Sequence, residues 1–486
     1  MRKRIRQAAL LQGITPKRAW TVLFDADSIS PVGTRADLAY GLAAEVAVGN
    51  QKVRNDFDGV PVFERPIFNA TWDDVAHRWV DFVKKGEAGF TFTPTETGRD
   101  VVFQSTPFWY QLDLSDTGRI TRVSVSDRPL EGYTLAPMFR DGSTPVYRSA
   151  FEAALDYTDR KMHSRAGLSP CLSEPSGVRN LIEARSLCGR FETAAEWFSD
   201  YLLLLVEFAT FNLQGVMHGV RGELTRLFNA ASISSQYSKG LYCSEEPWFT
   251  KGDSLDLYAG DSEMEIFLHG TYTVSSVTFV EGAGYRVSFS GLDVDELMWR
   301  NSYWECAAAT AKTGAALTVV TNATSGRASE ALRAPIVWRG KENPWGNAPT
   351  MLEDVVFKLN KRGQLQLYRA APGTTLIFYE GNYQADGTKY NAFAGTDSFV
   401  TGMAQNTIGD FLYPISFDDT TPDQYYATRM SRSCTEAEDD TFMVVVVGGG
   451  NDSGIGTNHA TMELLERYTA GGRWQRVGGR MILEEN

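Results

Sequence analysis

The chain has 486 residues, 43% of them hydrophobic and 12% aromatic, with a formal net charge of −13 and a pI near 5.1. That length is enough for two or three packed domains, and the composition excludes a disordered chain. The acidic balance argues against nucleic-acid binding, which depends on neutralising phosphates.

The five cysteines, Cys171, Cys188, Cys243, Cys306 and Cys434, are scattered and include no C-x-x-C pair. They read as reduced thiols of a protein made in a cytoplasm, not as a disulfide framework or a zinc cluster. Only five histidines are present and none pairs at ligand spacing, so neither a metal nor a cofactor is expected.

Residues 1–20 open with Arg2, Lys3, Arg4 and Arg6, followed by the short apolar run Ala8–Leu11. The run is too short for a signal-peptide core of about 7–15 residues or a membrane span of about 18. The basic start reads either as a solvated tail or as an attachment segment. Residues 21–150 form a β-rich part. Thr21–Phe24 reads as a strand, Asn55–Pro61 as a turn, Trp72–Lys85 as helical or mixed, and Phe90–Phe92 and Val101–Phe103 as strands.

Residues 151–252 form a helical part, with helices expected over Val178–Cys188 and Thr193–Gln214. Thr193 with Glu196 makes a capping box. The second helix is apolar nearly all round, which predicts a central, buried position. Glu207 sits inside that apolar run. A partnered structural carboxylate is favoured there over an acid of raised pKa, since buried charges are usually paired.

Residues 253–300 alternate apolar and polar positions and read as an inserted β meander, and Thr310–Ala331 reads as a surface loop. In the last part, 301–486, Trp338-Arg339-Gly340-Lys341-Glu342-Asn343-Pro344-Trp345-Gly346-Asn347 places two tryptophans around residues that permit left-handed or fixed backbone. It holds no nucleophile, so a buried, aromatic-anchored turn is the expectation, with Trp338, Gly340, Glu342, Asn343, Trp345, Gly346 and Asn347 as its structural residues. Val355–Tyr368, Thr374–Tyr379 and Asp397–Pro414 continue the short-strand pattern, and Ile415–Pro422 reads as a polar loop. Phe442–Val447 reads as a buried strand leading into Gly448–Gly456. Strand followed by glycines suggests a phosphate loop, but the returning strand, the ribose-binding acid and the lysine are missing.

Several of these stretches together resemble a family of phage tail-fibre and receptor-binding proteins. Trp338–Asn347 is similar to the family's W-x-G-x-E-N-x-W-G-N segment, although Ala348-Pro349-Thr350 departs from its continuation. Asn55–Asp58, Pro107–Tyr110 (which lacks the family's Lys after Pro), Ser126–Tyr133 and the helix Val206–Gln214 match further elements in the same order. Gly448–Gly456, Met462–Leu465 and Val477–Met481 occupy the places of its last strands.

The resemblance implies an α+β, C-type lectin-like fold, as in diversity-generating retroelement variable proteins and the formylglycine-generating enzymes. Short twisted antiparallel strands, a central buried helix pair and the inserted β subdomain are then expected. It also implies a ligand-display region over 442–482, with Asn451, Asp452, Asn458, His459, Glu463, Arg467, Tyr468, Arg473, Trp474 and Gln475 as contact residues. Such side chains suit recognition by rigid rings and hydrogen bonds.

The functional expectation is a non-enzymatic virion adhesin for a host cell-surface glycan or protein, held in a homotrimer and joined to other virion proteins through its N-terminus. No nucleic-acid contact or membrane insertion is expected. The alternative is a decoration or head-fibre protein without receptor binding. The enzyme relatives' cysteine pair has no counterpart, since only Cys434 follows Cys306.

Overall fold

The computed structural model describes residues 18–46, 53–156, 158–171, 175–217, 219, 225–227, 240–247, 249–262, 265–292, 303–308, 312–316, 335–370, 383–393, 395, 397–418, 425–432, 441–448, 462–466 and 478–485. Among these, 44% lie in strands and 9% in helices. The expected α+β, C-type lectin-like arrangement with a central helix pair is therefore corrected to a mainly β architecture of several antiparallel sheets.

Three sheets and one helix position the site. A five-stranded sheet runs in the order Thr34–Asp37, Trp20–Leu23, Ile120–Ser126, Trp109–Leu114, Thr134–Leu135. A four-stranded sheet orders Arg78–Lys84, Ile67–Asp73, Arg99–Ser105 and Val146–Ser149. The nine-stranded sheet is centred on Thr350–Leu359, Thr441–Val447 and Met462–Glu466, which are antiparallel neighbours, while Arg429–Arg432 lies parallel to Met462–Glu466. The run Thr441–Val447 thus has an antiparallel strand on each side, which is not the parallel βαβ unit a dinucleotide loop requires.

The helix Ala194–Phe208 begins as its sequence dictates. Thr193 Oγ1 accepts from the Glu196 amide, and the Glu196 carboxylate accepts from the Thr193 amide at 2.9 Å. Its side chains are buried almost without exception, against Ile120–Ser126, Trp20–Leu23 and Thr350–Leu359. Each fully buried Leu or Phe there contributes roughly 1.5–3 kcal/mol. One apolar cluster runs from Trp20 through this helix to Leu464.

The helix ends six residues earlier than its periodicity suggests. Ala209 adopts a left-handed φ of 53°, and the backbone then pairs with Pro31–Gly33 through Gly33 N–H to Ala209 O and Phe211 N–H to Pro31 O. The other expected helix, here Pro175–Arg185, is not its partner. Val178 and Ile182 pack instead with Trp72, Trp79, Met162 and Phe191 in a separate cluster.

Trp72–Lys85 is a hairpin and not a helix: Trp72 lies opposite Trp79, and the Asp73 carboxylate accepts from the Val75 and Ala76 amides to close the turn. Phe90–Phe92 forms no strand, and Ile415–Asp418 belongs to the strand Leu412–Asp418.

The meander is wider than its sequence suggests. Ser254–Ser262, Glu265–Val280 and Gly284–Phe289 join Thr225–Leu227, Leu241–Cys243 and Tyr303–Ala308 in a six-stranded sheet with its own apolar cluster. Of the expected loop Thr310–Ala331, the described stretch 312–316 buries Thr313 and Ala316; the rest lies outside the described residues, as does Thr374–Tyr379.

Candidate functional site

The side chains of the segment Trp338–Asn347 are buried. Val337–Trp338 pairs with Lys341–Glu342 across a two-residue turn in which Arg339 (φ 47°) and Gly340 (φ 85°) are both left-handed, as type I′ hairpins require. A Cβ on Gly340 would stand 3.0 Å from the Ile67 side chain. Asn343, Gly346 and Asn347 are left-handed as well. Five such residues in nine make this chain segment double back tightly, and its polar groups are held from other elements.

Those contacts explain why an arginine tolerates the strained position. The Arg339 guanidinium donates to both carboxylate oxygens of Glu207, from Nε at 2.8 Å and from Nη2 at 2.9 Å, and Trp338 Nε1 donates to the same carboxylate at 2.9 Å. Asn55 Nδ2 donates to it at 2.7 Å. Burial pushes the Glu207 carboxyl up, but Arg339 and these donors outweigh it and hold it below the usual range. Glu207 is thus the partnered structural carboxylate. Trp345 Nε1 finds the Met217 carbonyl at 3.1 Å.

A second ionic group sits one side over. Asp200, two helical turns before Glu207, accepts from Arg65 at 2.5 Å, Arg148 at 2.7 and 3.1 Å and Lys341 at 2.9 Å. Glu192 accepts from Lys341 at 2.6 Å and Arg148 at 3.1 Å. Burial opposes the Asp200 charge, yet Arg148, Arg65 and Lys341 together hold its carboxyl well below the ordinary range. Arg65 lies over the Trp338 ring at 4.0 Å, and burial lowers its pKa to about 10.

Glu152 and Glu342 form the third group. Glu152 accepts from Asn343 Nδ2 at 3.0 Å, Asn347 Nδ2 at 2.5 Å and the Ala348 amide at 3.0 Å. Glu342 accepts from the Gly314 and Ala316 amides, both at 2.8 Å. Burial raises both carboxyls, Glu342 to about 7. Two raised acids are a usual mark of catalytic sites. Both are closed to solvent and saturated by amide donors, however, so the arrangement acts as a scaffold.

That scaffold holds both ends of the C-terminal segment. At one end the Gly346 amide donates to Gly448 O at 3.1 Å, and a Cβ on Gly448 would lie 3.3 Å from Trp345 Cα. At the other, the Gly478 amide donates to Pro349 O at 2.9 Å and the Ala153 amide to Gly479 O at 2.8 Å. Arg480 donates to the carbonyls of Ser149, Ala150 and Asn343 at 3.0–3.3 Å. The two roots of residues 449–477 therefore meet on one turn.

Of the expected contact residues, Asn451, Asp452, Asn458, His459, Arg467, Tyr468, Arg473, Trp474 and Gln475 lie outside the described residues. Glu463 lies in the strand Met462–Glu466, its backbone opposite Val446 and Ser431. The expected turn residues Trp338, Gly340, Glu342, Asn343, Trp345, Gly346 and Asn347 come together in the buried turn.

Sequence reading missed Arg65, Arg148, Glu152, Glu192, Asp200 and Arg480. Asp200 carried a signal, since it lies seven residues before Glu207 on the same face of an all-apolar helix. Among the described residues no group of three or more His, Cys, Asp or Glu is placed to hold a metal ion, and no helix is long and apolar enough to cross a membrane. No family model matches the chain, and a search of curated proteins finds no match.

Proposed function

We propose that the chain is a virion adhesin that recognises a host cell-surface glycan or protein through residues 449–461 and 467–477. The observation that carries this reading is the joint anchoring of Gly448 and Gly478 on the buried turn Trp345–Met351. Recognition loops are characteristically placed on a rigid scaffold, and here the scaffold is the aromatic and ionic core. The ordered set of motifs shared with phage receptor-binding proteins supports the same reading, as does the run of Trp474, Arg473, Tyr468 and His459 in that segment. Display in three copies would convert modest site affinity into firm attachment through effective concentration.

The test is binding of labelled protein to cells that the particle infects. The variant Arg473→Ala with Trp474→Ala is expected to bind about tenfold more weakly while melting at the parent temperature. Undiminished binding by that variant removes the site assignment. Labelling on the capsid lattice, together with no binding to cells, overturns the adhesin reading in favour of a decoration protein.

A further inference from the structure

The apolar face of the six-stranded sheet does not stop at its core. Val274, Val287, Leu241 and Phe289 are buried there. The register places Val277 opposite Val287 and Phe279 opposite Tyr285, so the same face continues one pair outward to the end of the hairpin. At that end Phe279 is 62% exposed, with its ring 5.2 Å from that of Tyr285. Cys243 pairs with Tyr285, and the exposed Ser244, Glu245 and Glu246 follow beside the turn, where a Cβ on Gly284 would meet Ser244 Cα at 3.3 Å.

Glu281 in the turn is exposed as well. Neither 241–246 nor 277–285 contains a lysine or arginine. Arg286 belongs to the opposite face and lies against Gly240, away from the turn. Exposed Phe279 and partly buried Tyr285 are thus fringed by three carboxylates, with no lysine or arginine among the described residues 241–246 and 277–285. Such a surface suits a partner bearing both cations and small apolar side chains.

We propose that this end of the sheet is the docking face for the chain's own basic N-terminal segment, residues 1–17. Arg2, Lys3, Arg4, Arg6, Lys17 and Arg18 all precede the first acid, Asp25, in a chain of net charge −13. Ile5, Leu10 and Leu11 interleave with them and supply apolar contacts for Phe279. The segment joins the described structure at Arg18, and seventeen residues reach at most about 60 Å when extended. This inference stands apart from receptor binding, because it uses neither the residues nor the loops assigned to it.

A labelled synthetic peptide of residues 1–17 tests it, titrated into the full chain in which Arg2, Lys3, Arg4 and Arg6 are changed to Gln so that the resident segment does not compete. Saturable binding is expected, weakening with salt as exposed ion pairs do. Phe279→Ser alone, and Glu245→Gln with Glu246→Gln and Glu281→Gln, are each expected to weaken it by about tenfold or less. All four positions are exposed, so both variants should retain the parent circular dichroism. No saturable binding, or binding that neither variant changes, overturns the proposal.

Discussion

Replacing Asp200 by Asn removes a charge from a carboxylate bonded to three cations while keeping side-chain volume. The carboxylate now meets donors from Arg65, Arg148 and Lys341, and these four side chains are at most 2% exposed. With Asn in place, Glu192 is left as the remaining carboxylate bonded to Arg148 and Lys341. The new amide nitrogen also turns a donor toward donors.

Removing one partner of a buried ion pair costs about 3–5 kcal/mol, and three counter-charges make that a lower bound. Against a net stability of roughly 5–15 kcal/mol, the loss is a large share of what holds the fold. Urea unfolding followed by tryptophan fluorescence measures it. Asp200→Asn with Lys341→Met should recover roughly 1–3 kcal/mol relative to the sum of the single changes, because the second removes a stranded cation.

The pH sign is fixed by the direction of the shift. A carboxyl held below its unfolded value adds stability at pH above that value and loses it as pH falls through the folded one. The deficit of Asp200→Asn should therefore be constant from pH 5 to 8 and shrink only in acid. A midpoint shift under about 1 kcal/mol, or strict additivity in the double variant, refutes the assignment of Asp200 as the centre of this network.

Glu342 has the opposite sign. Its folded pKa of about 7 lies above the ordinary carboxyl value of 4.5, so the folded state binds more protons between these values and stability declines as pH rises through them. The shift corresponds to about 3 kcal/mol, and melting curves at pH 5 and 8 should show a decline in the parent that is smaller by about that amount in Glu342→Gln, where Glu152 still contributes. Gly118→Ala is expected to cost about 1–3 kcal/mol, since φ is 79° and the added Cβ would stand 2.6 Å from the Met403 carbonyl; denaturant midpoints measure it. Trp338→Ala should cost about 3–5 kcal/mol for the cavity, and leaves Glu207 one donor short; the same unfolding assay applies.

How far the sequence revealed these features depended on how local their causes are. The capping box of Thr193 and Glu196, the start of the central helix, the turn at Asn55 and the strand before Gly448 all follow from neighbours in the chain. The two-tryptophan turn was legible because glycine, asparagine and proline declare their backbone needs directly. The hairpin over 67–84 was not, because Val75 is an apolar residue 94% exposed in the turn and mimics a helical position. The helix end at Phe208 carries no glycine or proline; it is imposed by pairing with Pro31–Gly33, which is far away in sequence. Distance also hid the ionic centre, since Asp200 takes its partners from 135, 52 and 141 residues away. The expected second core helix failed because an amphipathic segment states which face it buries, but not against what.

The C-terminal roots are held through backbone groups. Gly448 is fixed through its carbonyl, Gly478 through its amide and Gly479 through its carbonyl, all backbone groups. The scaffold's own side chains, Glu152 with Asn343 and Asn347, and Arg480 with the carbonyls of Ser149, Ala150 and Asn343, complete the anchorage from outside residues 449–477. Glu152 is not free to vary, because its one carboxylate binds both the turn and the amide of Ala348, next to the Pro349 carbonyl that holds Gly478. Buried ionic groups often cost more than an apolar core of equal volume would. In this chain they fix the turn on which Gly448 and Gly478 are held, a task that non-directional apolar contacts perform less well.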